Sequence, residues 1–182
     1  MNADLVTAPA PVPATSHLER VAAHACQLRP ARVADAAQIH ELIAAHLEEG
    51  HLLPRRLAEL LVHAPRFVVA VHGDRVVGGA ELAPLSRSVA EVRSLVVHRD
   101  ARHDGVGQRL VQELVRRARL DGFDRLCAFT HGPGFFARIG FSIVPHHWVP
   151  EKIAVDCQGC AAFRTCGQHA VVLTLQRQPA RA

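Results

Sequence analysis

Glu91 and Arg93 are charged residues separated by one position in a largely apolar stretch, residues 90–97. On a β-strand, residues i and i+2 face the same side of the sheet, so the two side chains lie together if no bulge intervenes. Charges on a central strand are costly unless they are paired or meet a ligand. Glu91 could therefore remove a proton from a substrate, directly or through water, while Arg93 could bind a substrate carboxylate. A mutual structural ion pair is the alternative.

A glycine-bearing turn, Arg102-His103-Asp104-Gly105-Val106-Gly107, follows this stretch. Between a strand and a helix, such a turn directs backbone N–H groups and the positive end of the helix dipole into one small space, which suits a pyrophosphate. Glycine lets the backbone approach the ligand closely. The pattern R-x-x-G-x-G by itself matches many ordinary helix starts, and its position between strand and helix makes it more specific. It lacks the Gly-Lys-Ser/Thr of a P-loop and the earlier glycine of a dinucleotide fingerprint.

The elements that position these residues follow from the hydrophobic periodicity. The sequence predicts helices over 35–47, 55–63, 105–120 and 133–139, and extended segments over 28–31, 67–72, 75–82, 91–98, 125–130, 141–145 and 170–176. Gly73-Asp74, between the second and third of these strands, is typical of a hairpin turn. The helix over 105–120 carries an apolar stripe at helical spacing. No internal repeat or second domain is evident.

Length and composition indicate a single globular domain. The chain has 182 residues, 49% of them hydrophobic and 21% charged, which is enough for one domain with its own core. The proline-rich stretch 8–13 predicts a flexible N-terminal tail over residues 1–24, with the domain over 25–182. That tail has neither the basic start nor the apolar run of a secretion signal, and apolar runs elsewhere are short. We therefore expect a cytoplasmic protein without a membrane span.

Three of the five cysteines, Cys157, Cys160 and Cys166, form a C-x2-C-x5-C cluster with His169 three residues beyond. Without a secretion signal, reduced thiols are expected rather than disulfides. The spacing permits a structural zinc ion. A second cysteine pair is missing, however, and thiols also pack well as small apolar groups. A structural zinc therefore stays open, and we assign no metal ligands.

The order strand, R-x-x-G-x-G turn, helix and strand is followed by the segment Phe135–Phe141. This order resembles the GNAT superfamily of acetyltransferases, over roughly residues 26–176. The resemblance implies an α/β fold with a mixed, mostly antiparallel seven-stranded sheet and about four helices. It also implies that the fourth and fifth strands, at the centre of the sheet, splay apart.

The same resemblance implies acetyl-CoA as the cosubstrate. The pantetheine arm would lie in the gap between the splayed strands and the pyrophosphate on the backbone of the glycine-bearing turn. Backbone N–H groups near Leu95 and Val96 would polarise the thioester carbonyl. The expected cofactor-binding residues are Leu95, Val96, Val97, Arg102, His103, Asp104, Gly105, Val106 and Gly107.

A narrower resemblance links residues 90–97, Thr130 and 149–153, together with the downstream cysteine cluster, to short bacterial N-acetylglutamate synthases. It implies acetylation of the α-amino group of L-glutamate, the opening step of arginine biosynthesis, by direct attack in a ternary complex. Longer relatives carry an amino-acid-kinase-like domain in front, and we expect none in this chain.

Within this interpretation Glu91 is the catalytic base, and Arg93 and Lys152, the single lysine of the chain, bind the substrate carboxylates. Many members of the superfamily protonate the leaving thiolate with a tyrosine. This sequence contains no tyrosine, and Phe136 stands where one is expected, so Thr130 is the remaining hydroxyl candidate.

Three other functions stay open. The acceptor could be another small amine or a protein N-terminus. The missing tyrosine permits a non-catalytic acyl-CoA sensor. A nucleic-acid-binding module is disfavoured, because the arginines of helix 105–120 alternate with acidic residues and no aromatic platform accompanies them. The expected partner is a small-molecule amino acid. The sequence is also compatible with a homodimer. We expect no binding to nucleic acid or to a membrane.

Overall fold

The computed structural model describes residues 26–50, 52–161, 163 and 165–175. The tail predicted over residues 1–24 lies outside them. The described residues form one seven-stranded sheet with the order β1-β2-β3-β4-β5-β7-β6. Its strands are β1 Gln27–Pro30, β2 Phe67–His72, β3 Arg75–Pro84, β4 Val89–Val97, β5 Arg125–Thr130, β6 Ser142–Val144 and β7 His169–Thr174. Every pairing is antiparallel except that of β4 with β5, which confirms the predicted mixed sheet.

The four predicted helices are present, with shorter bounds than the periodicity indicates. They are α1 Ala36–Ala44, α2 Leu57–His63, α3 Val106–Leu120 and α4 Pro133–Arg138. A fifth, α5, covers Pro150–Lys152 and continues into a π-helical turn, Ile153–Cys157. Hydrophobic periodicity does not predict α5, because three residues are too few to show a helical apolar stripe. No α-helix in the part of the chain that the structure describes has the length and apolar character of a membrane span.

Helices cover both faces of the sheet. Val68 and Ala70 of β2 belong to the core beneath α3, whereas Phe67, Val69 and Val71 belong to the core beneath α1 and α2. Alternate residues of a strand point to opposite faces, so a strand that is covered on both sides must be apolar throughout. This explains why β2 reads as an uninterrupted apolar run.

The central strands β4 and β5 are paired over only three positions, from Val89–Arg125 to Glu91–Cys127. Beyond Glu91 they separate, as the resemblance implied. The pairing of β4 with β3 shifts in the same region, where three steps along β4 match two along β3. Ser94 lies at this shift with a φ of 52°, the geometry of a β-bulge. The bulge bends β4 away from β5 and leaves an open gap between the strands.

Candidate active site

A cavity of about 430 Å³ lies where β4 and β5 separate. Its apolar lining includes Phe129, Phe135, Leu52 and Leu53. Its charged lining is formed by Arg55, Glu91, Arg93, Lys152 and Asp156. The cavity therefore combines apolar walls with a concentration of charge at the point where the strands divide.

Four of these charged residues form a connected group, here called the charged quartet: Glu91, Arg93, Lys152 and Asp156. Glu91 Oε2 accepts hydrogen bonds from Arg93 Nε at 2.9 Å and Arg93 Nη2 at 2.6 Å. Lys152 Nζ lies 2.7 Å from Glu91 Oε1 and donates to Asp156 Oδ2 at 2.8 Å. Asp156 Oδ2 also accepts from Arg93 Nη2. The structure thus brings together the three quartet residues assigned to the site from sequence and adds Asp156.

The quartet lets a carboxylate remain charged in a nearly buried position. Glu91 is only 3% exposed, and an uncompensated charge there would be strongly destabilising. Arg93 and Lys152 provide the compensation, so the ion pair considered as the alternative role of Glu91 and Arg93 is present. For Glu91 to take a proton, an amine or a water must reach an oxygen that these cations now contact.

Asp156 is the more accessible carboxylate of the quartet. Burial by itself would raise the pKa of Asp156. The hydrogen bond from Lys152 and the charges of Lys152 and Arg93 outweigh this effect and hold the pKa below its usual value. Asp156 is therefore ionised at neutral pH.

A second ion pair, Arg55 with Glu81, was not predicted from the sequence. Arg55 precedes α2, and its Nη2 contacts Glu81 Oε2 at 2.9 Å. Glu81 lies on β3 and is 0% exposed, and the Arg55 side chain is 8% exposed. Arg55 Nη1 also donates to Ser94 Oγ at 2.7 Å, which ties the loop before α2 to the bulge of β4. A glutamate within the apolar run of β3 was the one sequence signal that pointed to this pair.

Thr130 lines the cavity at the end of β5. Its Oγ1 accepts a hydrogen bond from the backbone N–H of Gly132 at 3.0 Å, so the hydroxyl keeps its own proton for donation. Phe136, which replaces the expected tyrosine, also lines the cavity but is largely buried. Its ring makes edge contacts with Phe135 and Phe141 at centroid distances of 5.1 and 5.2 Å.

The glycine-bearing turn leads directly into α3. His103 and Gly105 both have a positive φ, 72° and 73°, and α3 begins at Val106. The first N–H groups of an α-helix have no partner within the helix and point out of its N-terminus. The Arg102 side chain is occupied by the protein itself, because Nε donates to Val97 O at 3.0 Å and Nη2 to Glu49 Oε2 at 2.8 Å. Two of the three guanidinium nitrogens of Arg102 are therefore engaged within the protein in this arrangement.

The cysteines contribute little to the cavity. Cys127 is fully buried beside Val89 and Val149, which confirms that it fills the fifth strand, and burial raises the pKa of its thiol. In the clustered segment Cys157 is half-buried, whereas Cys160 and Cys166 are exposed. Among the described residues no three His, Cys, Asp or Glu side chains are arranged to hold a metal ion.

The fold agrees with the family to which the sequence is similar. Residues 34–141 match the acetyltransferase (GNAT) family, so the chain belongs to that family. It is 32% identical over 154 residues to an uncharacterized N-acetyltransferase of Chlorobaculum tepidum, a match that covers 85% of this chain and 99% of that protein.

Several relatives are amino-acid acetyltransferases. The one of Mycobacterium tuberculosis is 31% identical over 118 residues, which cover 67% of its length, and the one of Shewanella oneidensis is 32% identical over 128 residues. The chain spans only 29% of the Shewanella protein. Among solved structures, N-acetylglutamate synthase from Neisseria gonorrhoeae, complexed with coenzyme A and N-acetyl-glutamate, has a TM-score of 0.75 at 28% identity. That similarity covers 84% of this chain and 35% of the synthase chain.

We predict that Arg55→Met lowers the free energy of unfolding by about 2 kcal/mol, because Glu81 loses its closest cation in the core and keeps only His63 Nδ1 at 3.1 Å and Arg66 Nη1 at 3.9 Å. The double variant Arg55→Met/Glu81→Gln is expected to regain part of this loss. Urea denaturation measures both effects. Glu113→Gln, which removes the exposed ion pair with Arg116 on α3, is the control and should cost less than about 1 kcal/mol. A loss for Arg55→Met no larger than that of the control would contradict the prediction.

Proposed function

We propose that this chain transfers the acetyl group of acetyl-CoA to the α-amino group of L-glutamate. The observation that carries the proposal is the charged quartet at the point where β4 and β5 separate. At this point the nearly buried carboxylate of Glu91 lies between two cations, Arg93 and Lys152. This combination suits a reaction that deprotonates an ammonium group while binding carboxylates.

Binding of acetyl-CoA is supported by the gap and by the start of α3. The β4–β5 pairing ends at Glu91, so the edge of β4 that faces the gap has no ladder partner on β5. Its N–H groups near Leu95 and Val96 are suited to the thioester carbonyl. The N-terminus of α3 is suited to a pyrophosphate. The gonococcal synthase and a Mycobacterium tuberculosis protein with a TM-score of 0.69 were both solved in complex with CoA, which supports the same cosubstrate here.

Glutamate as the acceptor is supported by the charge of the cavity. The lining contains three cations, Arg55, Arg93 and Lys152, and two carboxylates. Two carboxylates of an acceptor can each be bound by a cation while its amine is directed toward Glu91. The name of the gonococcal synthase and the amino-acid acetyltransferases among the relatives support this choice.

The proposed reaction is direct transfer in a ternary complex. Glu91 takes a proton from the ammonium, and the free amine attacks the thioester carbonyl carbon. The carbon–sulfur bond then breaks and the thiolate leaves, while the attacking nitrogen gives up its second proton, which the thiolate takes up to form the free thiol. A thiol of ordinary pKa, ~8.5, is an adequate leaving group, and the hydroxyl of Thr130 is the candidate donor to it. The whole site falls within the single domain proposed for residues 25–182.

The acceptor is tested by product detection with acetyl-CoA and a panel of amino acids and peptides. We predict that glutamate is acetylated with a higher kcat/KM than glutamine, because a site built for a carboxylate leaves its cations unpaired with an amide. Equal kcat/KM for the two amino acids, or no activity with either, would reject glutamate. Acetylation of peptide N-termini instead of amino acids would favour a protein substrate. Binding of acetyl-CoA without any acetyl transfer would favour a non-catalytic sensor.

The cofactor site is tested by a matched pair of substitutions at Gly107, the second residue of α3. A Cβ at this position meets only ordinary contacts within the protein, 3.7 Å from Phe135 Cζ and from Val97 Cγ2, so Gly107→Ala should fold and is the control for an added Cβ without charge. Gly107→Glu adds bulk and negative charge next to the expected pyrophosphate and should weaken acetyl-CoA binding at least about tenfold. Calorimetric titration measures both. Unchanged affinity in a folded Gly107→Glu protein would contradict this assignment.

The role of Glu91 is tested by Glu91→Gln. Loss of a positioned base typically costs 10²–10⁴ in rate, so kcat at neutral pH should fall by about that factor. The loss should shrink as the pH approaches the pKa of the substrate amine, because the free amine needs no base. A variant that melts earlier yet keeps a near-normal kcat would assign Glu91 to the structural ion pair alone. An acetylated Cys127 that passes its acetyl group to substrate would contradict direct transfer.

A further inference from the structure

Asp156 occupies an unusual position for a side chain of the protein itself. Its Oδ2 accepts hydrogen bonds from both Arg93 Nη2 and Lys152 Nζ, the two cations that face the cavity beside Glu91. The Asp156 side chain is 33% exposed and lines the cavity. One carboxylate oxygen thus bridges two cations at the edge of the site, which is how a bound carboxylate ligand would be held.

Glu91 and Asp156 both contact Arg93 and Lys152, but they differ in burial and in how firmly the backbone that carries them is held. Glu91 lies on β4, is nearly buried, and is fixed by the strand pairing around it. Asp156 lies on the π-helical turn Ile153–Cys157, and π-helical turns are frequent at functional sites. Of the two carboxylates, Asp156 is therefore the one that a ligand can replace without disturbing the sheet.

The segment that carries Asp156 has few attachments to the rest of the protein. Ala154 and Val155, the two residues before Asp156 in the same turn, are exposed. The described residues between Cys157 and the start of β7 at His169 form turns and extended chain without strand pairing. Before the turn, Val149 is buried and anchors the chain. None of the five residues of the turn is buried, so little packing of its own holds Asp156 against the cations.

We propose that Asp156 is a specificity-determining residue that holds the carboxylate-binding position of Arg93 and Lys152 until the carboxylate of the acceptor replaces it. The inference rests on the proposed function, since it assigns these two cations to the acceptor. An acceptor without a carboxylate cannot take over the contacts and leaves the position occupied. An acceptor that has a carboxylate replaces the carboxylate of Asp156 on the two cations. Its measured affinity is then the intrinsic affinity multiplied by the fraction of protein in which Asp156 does not hold the cations.

The experiment compares Asp156→Asn with the wild type. Asparagine keeps the size of the side chain and removes the negative charge. Glutarate, a dicarboxylate without an amino group, is the binding probe, titrated calorimetrically with and without coenzyme A. We expect its Kd to fall about tenfold in Asp156→Asn, because a charged competitor has been removed. The KM for glutamate should fall by a similar factor with kcat changed less.

The matched control is Glu113→Gln, which removes a carboxylate paired with Arg116 and Arg117 on α3, outside the cavity and 25% exposed. It should leave both the glutarate Kd and the KM unchanged. Equal or weaker glutarate binding by Asp156→Asn overturns the proposal and assigns Asp156 to holding the cations in place. If Asp156→Asn does not fold, judged by its thermal melt, Asp156→Ser provides the same comparison.

Failure of this inference and failure of the proposed function give different results. If glutamate is not the acceptor but Asp156 does hold the carboxylate position, glutarate binding tightens in the variant although neither protein acetylates glutamate. If glutamate is the acceptor and Asp156 has only a structural role, the wild type acetylates glutamate and the variant has an equal or higher KM.

Discussion

Three residues of β4 are paired with β5, and beyond Glu91 the two strands separate because the bulge at Ser94 bends β4 away. The other features of the site depend on this separation. It opens the cavity, exposes an unpaired edge of β4, and leaves Glu91 at the closed end of the gap. A sheet with a complete β4–β5 ladder would place backbone hydrogen bonds where the cavity now lies. The helix that follows β5, α4, contributes Phe135 and Phe136 to the cavity, and Phe135 also lies beside Gly107 at the start of α3.

Charge in the core makes the site and the fold interdependent. Glu81 on β3 and Glu91 on β4 are buried on neighbouring strands of the sheet, and each is compensated by an arginine. Burying a charge is acceptable only with such a partner, so the arginines cannot be exchanged for apolar residues without a loss of stability. Arg55 combines both roles, because it pairs with Glu81, donates to Ser94 at the bulge, and lines the cavity. The conformation of β4 near the reaction site is thus fixed by a residue that lies outside the sheet.

The sequence predicts the parts of this arrangement that depend on local spacing. The strands, the apolar stripe of α3 and the common face of Glu91 and Arg93 all follow from periods of 2 and 3.6 residues. The parts that it misses depend on contacts between distant residues. Arg55 and Glu81 are 26 positions apart, and Arg93 and Asp156 are 63 apart, so no periodicity connects them. The helix α5 was missed for a different reason, since its three residues are held by their surroundings rather than by an intrinsic pattern. For Thr130 the spacing correctly predicts its position at the end of a strand. It does not predict the hydrogen bond that its hydroxyl accepts from the backbone N–H of Gly132.

The parallel pairing of β4 with β5 also has a consequence for folding kinetics. The strands β1 to β4 can assemble through hairpins and near neighbours, but a parallel partner must return by a crossover, here through α3. Lys152 then closes onto Glu91 across 61 residues of sequence, and closing such a loop carries an entropic cost that must be met before the contact forms. We therefore expect the charged quartet to form after the pairing of β4 with β5. A nascent chain that ends before α5 has the strands of the gap but lacks two of the four charges that surround its closed end.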